Sequence, residues 1–123
     1  KLAFLEWYRK SELSADRAGT SSAAMREQVD KARAMQRKRF ARSRTRTNSQ
    51  MNARQVREYC KLSGECLSLM EEAVQSMGLS ARAHDKILRV ARTIADLEGS
   101  DAIVVEHLTE AINYRMLDRQ MWS

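Results

Sequence analysis

Four arginines in this 123-residue chain stand where their charge could do chemistry. Arg42, Arg44 and Arg46 alternate through a polar stretch, SRTRTNSQM from residue 43 to 51, that has no apolar period and reads as a loop. A guanidinium is always charged and presents a planar fork that matches phosphate oxygens. Set among serine and threonine hydroxyls, three of them could hold phosphates by charge without reading a base sequence. No aromatic residue is interleaved, which argues against a platform for stacking single-stranded bases. The fourth, Arg82, lies in the first turn of a strongly periodic segment, where the helix dipole disfavours cations by a few tenths of a kcal/mol to about 1 kcal/mol. A local rule broken in this way marks a candidate site. The plainer reading is a solvated side chain leaning toward Asp85, three residues on.

Other chemistries find little support. Cys60 and Cys66 are too few for a disulfide framework and wrongly spaced for zinc, so they read as small buried hydrophobes in a reducing compartment. His84 and His107 form no pair at helical spacing, and neither belongs to a nucleophile motif. None of the four glycines opens a G-x-x-x-x-G-K-[ST] loop, and no apolar strand ends in acids. The chain by itself is therefore expected to bind and not to catalyse, with no metal or cofactor of its own.

The charge is unevenly spread. Residues 26–57 carry eleven basic and two acidic groups, a balance of +9, whereas residues 58–123 carry seven basic and eleven acidic, −4. Such a block points to an anionic partner, DNA or a neighbouring subunit, although a solvated basic face is the ordinary alternative.

The elements that position these groups are helices. There is no proline, where average usage of about 5% would give roughly six, and Ala, Arg, Glu, Leu and Met dominate. The expected fold is all-α, a bundle of four or five helices. The longest apolar runs, such as Ala102 to Val105, are far too short to span a membrane. The best-marked helix lies between Gly78 and Gly99, with Ser80 as cap and Gly99 as terminator. Ala83, Ile87, Val90, Ala91, Ile94 and Leu97 form its apolar stripe, leaving Arg82, Lys86, Arg89, Thr93 and Asp96 on the other side. A first helix is expected from Ser21 or Ser22 to about Arg42. Its stripe is Met25, Val29, Ala32, Met35 or Gln36, and Phe40, and Arg39 belongs to its basic faces. Asn52 caps a short helix ending near Cys60. Ser63 caps the next, with Leu62 stapled onto Leu67 and Cys66, Met70, Ala73, Val74 and Met77 inward. A last helix runs from about Val105 to Asp118, burying Val105, Leu108, Ala111, Ile112 and Met116. Residues 1–20, KLAFLEWYRKSELSADRAGT, fit this pattern least well. With a lysine at its start, the chain is expected to be part of a longer protein.

The run LSARAHDKILRVARTIADLEGS, with Glu106-His107, Glu110-Ala111-Ile112 and Tyr114 to Arg119 after it, closely resembles the C-terminal domain of magnesium chelatase-related AAA+ ATPases, the bacterial ComM-like proteins. Arg46-Thr47-Asn48, Gln50-Met51-Asn52 and Cys60-Lys61-Leu62 extend the resemblance upstream, and a looser match reaches back to about Leu13. It implies a helical lid over residues 21–123, joined by residues 1–20 to an AAA+ core. It also implies that the core holds ATP and Mg2+, and that an arginine at the place of Arg82 reaches the nucleotide phosphates. The remaining implications are a cytoplasmic, homo-oligomeric, hexameric ring with neighbouring subunits as partners, and work on DNA. His84 departs from the family, which usually has tyrosine there. The alternative is a free-standing basic helical module that binds nucleic acid through Arg42, Arg44 and Arg46.

Overall fold

Five helices and one short 3-10 turn follow in order along residues 22–122, the part of the chain that the computed structural model describes, with side chains through residue 115. They are α1 (Ser22–Arg39), the 3-10 turn (Asn48–Gln50), α2 (Ala53–Tyr59), α3 (Gly64–Met77), α4 (Ala81–Leu97) and α5 (Val105–Trp122). No strand occurs among the described residues. The chain is a small all-α bundle, as its composition and periodicity predict. The readings of residues 1–20, and of the side chain of Met116, lie outside what the structure describes.

Local chemistry sets the helix ends. Asn52 accepts from the Gln55 N–H while the Gln55 side chain accepts from the Asn52 N–H, a complete capping box on α2. Ser63 caps α3 through the Cys66 N–H, and Ser80 caps α4 through the Ala83 N–H. At the far end of α4, Gly99 takes φ 72°. The Ser100 N–H then reaches Ala95 O and the Gly99 N–H reaches Asp96 O, which satisfies carbonyls the helix leaves open.

α4 is the central helix, packing against α5, α1, the 3-10 turn and α2. Ile87, Ala91 and Ile94 are buried as their spacing requires, together with Leu88 and Ala95. Burial of each isoleucine is worth about 1.5–3 kcal/mol. Cys66 and Met70 of α3 and Leu108, Ala111 and Ile112 of α5 complete the main core, and Val29, Ala32 and Leu97 form a satellite beside it. Cys60 and Cys66 are free and buried within the main core.

Three expectations are corrected. First, α1 stops at Arg39 instead of running to Arg42, because Phe40 turns into the core and meets Tyr59 edge-on at 5.6 Å. The Ser43 N–H then closes a turn on Phe40 O. Second, Leu67 is 52% exposed, while Leu62 packs against the core. Third, Asp96 does not lie on the solvent side of α4. Its side chain is fully buried.

Candidate functional site

The basic stretch becomes a built loop. Its two ends hang from one carboxylate: Arg39, at the close of α1, forks onto Asp96, with Nη1–Oδ2 at 2.8 Å and Nη2–Oδ1 at 2.7 Å. Asn48, on the far side of the loop, donates from Nδ2 to Asp96 Oδ2 at 2.8 Å and accepts from Arg39 at 2.9 Å. Arg39 therefore does not belong to a solvated basic face, since its charge is spent on Asp96. Arg92 adds a second cation, with Nε 3.2 Å from Asp96 Oδ1, and also donates to Ser100 O and Asp101 O. Burial opposes the charge on Arg39, but the hydrogen bonds and charge of Asp96 hold its pKa above the ordinary arginine value. Arg92 is shifted the other way, mainly by burial and despite Asp96, with Arg39 adding repulsion. Two guanidiniums on one carboxylate leave a net positive charge inside, and the carbonyls of Ser100 and Asp101 offset part of its desolvation.

The middle of the loop is tied to α2. Gln55 Nε2 donates to Ser43 Oγ at 3.1 Å, and Gln55 Oε1 accepts from Thr45 Oγ1 at 2.9 Å. Ser43 Oγ also accepts from the Thr45 N–H, and Gln50 Oε1 accepts from the Arg46 N–H. Beyond it Met51 is buried, and its carbonyl accepts twice from Arg89, at 3.2 and 2.8 Å. Arg89, which spacing puts on the polar side of α4, is thus a clamp on the loop's exit. This structure leaves Arg42, Arg44 and Arg46 exposed, with no acidic partner among the described residues.

Arg82 stands elsewhere. It is exposed in the first turn of α4 and forms no ion pair among the described residues. Asp85 does not take it up, lying instead 3.5 Å from Nδ1 of the half-buried His84. The loop is anchored at Thr93 and Asp96. Fourteen residues separate Arg82 from Asp96, so at 1.5 Å per residue the two places lie about 20 Å apart along α4. The three loop arginines share one loop, whose anchor at Asp96 lies at the far end of α4 from Arg82.

Sequence reading missed Arg39, Asn48, Gln55, Arg92 and Asp96 as parts of one assembly. One signal was available: Arg92 and Asp96, an i, i+4 pair of opposite charge, border the apolar stripe of α4. Among the described residues no cluster of three or more His, Cys, Asp or Glu could hold a metal ion, and no helix is long and apolar enough to cross a membrane.

Comparison with known proteins assigns most of the chain to one family. The family described as magnesium chelatase, subunit ChlI C-terminal, matches residues 19–115. The Escherichia coli protein YifB, described as uncharacterized, is 41% identical over 101 residues, covering 82% of this chain and 19% of the relative. Competence protein ComM of Haemophilus influenzae is 40% identical, with the same coverage of both chains. YifB of Salmonella typhimurium is 38% identical, again over 82% of this chain and 19% of its own. The chain thus spans about a fifth of the length of these relatives. No solved structure matches it.

Proposed function

Since the chain belongs to the magnesium chelatase subunit ChlI C-terminal family, we propose that it is the helical lid of a bacterial ATP-driven machine, with Arg82 turned toward the nucleotide phosphates. The observation that carries this reading is the state of Arg82. It is a cation without an acidic partner among the described residues, set in the opening turn of the central helix, where its own helix dipole opposes it. A phosphate oxygen alongside would remove that conflict, accepting from the guanidinium fork and gaining from free N–H groups of the same turn. Arg82 fits a phosphate contact, but no nucleotide loop occurs in this chain. The binding of ATP and Mg2+ is therefore assigned to an AAA+ core elsewhere in a longer protein, joined through residues 1–20. When bound there, ATP supplies the bond that is hydrolysed. Arg82 supplies positioning and charge at the phosphate end. α4 carries any displacement into the bundle, because it touches four other elements. In this reading the protein is cytoplasmic, forms a homo-oligomeric ring, hexameric in the family, and works on DNA.

The test is turnover in the full-length ATPase. Arg82→Ala should lower it on the order of ten- to a thousandfold, as for loss of one preorganised charge-stabilising donor. Lys86→Ala removes an exposed cation one turn further along the same helix and should leave turnover near wild type. Equal losses in the two variants would overturn the reading. Arg89→Ala is unsuitable as the comparison, because Arg89 clamps Met51.

A second reading concerns the outward-facing loop. Arg42, Arg44 and Arg46 are held in a fixed frame without an acid beside them, which supports binding of a polyanion, in the family setting DNA. Changing all three to Ala should lower the salt slope of binding by up to about 2.7, at roughly 0.9 per phosphate contact. An unchanged slope would remove this second role.

A further inference from the structure

The loop of Arg42, Arg44 and Arg46 is held more firmly than a solvated charge cluster requires. From Lys31 to Arg57 the chain carries ten cations and no acid. Arg39 is taken by Asp96, and Lys31 pairs with Glu27 on the preceding turn of α1. The eight residues between Arg39 and Asn48 leave one buried carboxylate and return to it. Halfway along, the Gln55 amide grips two side chains of the same loop, donating to Ser43 and accepting from Thr45. Gln55 is half-buried, and a glutamine that only capped its own helix would have no need of either contact. Arg54 and Arg57, exposed on the same short helix, extend the cationic surface beside the grip.

From this we infer that Gln55 is the positioning residue of a polyanion site, holding the arginine loop in the shape that receives the phosphate backbone of a nucleic-acid duplex. The inference rests on the second reading above and adds the device that makes it efficient. The choice of duplex follows from the side chains present. Guanidinium forks and hydroxyls suit phosphates, and the loop contains no aromatic surface on which unpaired bases could stack. A loop already ordered in the free protein loses less conformational freedom when it binds. Gln55 is neutral, so it contributes shape and no charge.

That separation defines the experiment. Binding of the 123-residue chain to a 20-base-pair DNA duplex is followed by fluorescence anisotropy across a salt series, with the circular dichroism of each variant recorded alongside. Gln55→Ala should weaken binding roughly three- to tenfold at every salt concentration while the salt slope stays at the wild-type value, since every cation remains. Ser43→Ala, an exposed change that leaves the α2 cap intact, should weaken binding less. The double variant should be no worse than Gln55→Ala, because both changes break the same contact. Asn52→Ala breaks the α2 cap but spares the contacts of Gln55 with Ser43 and Thr45, and it should bind as wild type. Wild-type affinity in Gln55→Ala, or an equal loss in Asn52→Ala, would overturn the positioning role. Failure of the polyanion reading itself gives a different result, in which the triple arginine variant binds with an unchanged slope.

Discussion

Asp96 joins α4 to the end of α1 and to the 3-10 turn. Its carboxylate, fully buried, accepts from Arg39, Asn48 and Arg92. Replacing it with alanine would leave two guanidiniums without their counter-charge, a change that costs about 3–5 kcal/mol. Against a total stability of about 5–15 kcal/mol, denaturant unfolding should show a large loss. An unchanged midpoint would mean that the two arginines find other partners. Cys60 offers a second handle. Burial pushes its thiol up to about 11 from an ordinary value of 9.0, with Arg92, Arg39 and Arg89 pulling the other way. Between these pH values the unfolded chain has released the proton and the folded chain has not. Stability from this group is therefore fully present below pH 9 and falls as pH rises toward about 11, by at most about 1.4 kcal/mol per pH unit. Unfolding measured at pH 8 and pH 10.5 should show a shallower loss in Cys60→Ala than in wild type, and parallel losses would contradict the placement. That Cys60 is buried was legible from the sequence, because small apolar residues obey helical periodicity. The Asp96 assembly was not. Its members lie up to 57 residues apart, and no periodicity reports which distant polar groups meet.

At the scale of the element, α4 shows why the helical pattern was readable. Ser80 and Gly99 bound it, the stripe of Ile87, Ala91 and Ile94 faces the core, and each signal is local. The basic loop shows the opposite. Its order comes from Gln55 on the following helix and from the carboxylate of α4, so a window across residues 43–51 reveals only polarity. The glycines allow a backbone test of these elements. Gly99 has φ 72° and Gly64, at the first position of α3, has no such conformation, while a Cβ at either would meet nothing within 4 Å. Gly99→Ala should lower stability by about 1–2 kcal/mol through left-handed strain alone. Gly64→Ala should be neutral or raise stability by up to about 1 kcal/mol. Thermal unfolding of the two variants side by side checks this, and a shift of the same sign in both would contradict the cap assignment.

For the whole molecule, the +9 and −4 segments are distributed in a way that composition alone misrepresents. Arg39 and the buried Asp96 pair across the two segments, and the cations left exposed include those of α1 as well as those of the loop and of α2. Arg82 belongs to a different surface, at the opposite end of α4 from the carboxylate that holds the loop. The bundle thus has two cationic places, Arg82 in the first turn of α4 and the loop anchored on Asp96 near the other end of that helix. In the isolated chain Arg82→Ala should change stability by no more than about 0.5 kcal/mol, as for ordinary surface positions. For the role proposed for it at a nucleotide, the most direct measurement is the ratio of ATP to ADP affinity in the longer protein. A guanidinium on the terminal phosphate is a charged hydrogen bond worth about 1.5–3 kcal/mol, so Arg82→Ala should lower that ratio roughly tenfold or more while Lys86→Ala leaves it unchanged. A ratio that survives in Arg82→Ala would contradict the assignment of Arg82 to the nucleotide.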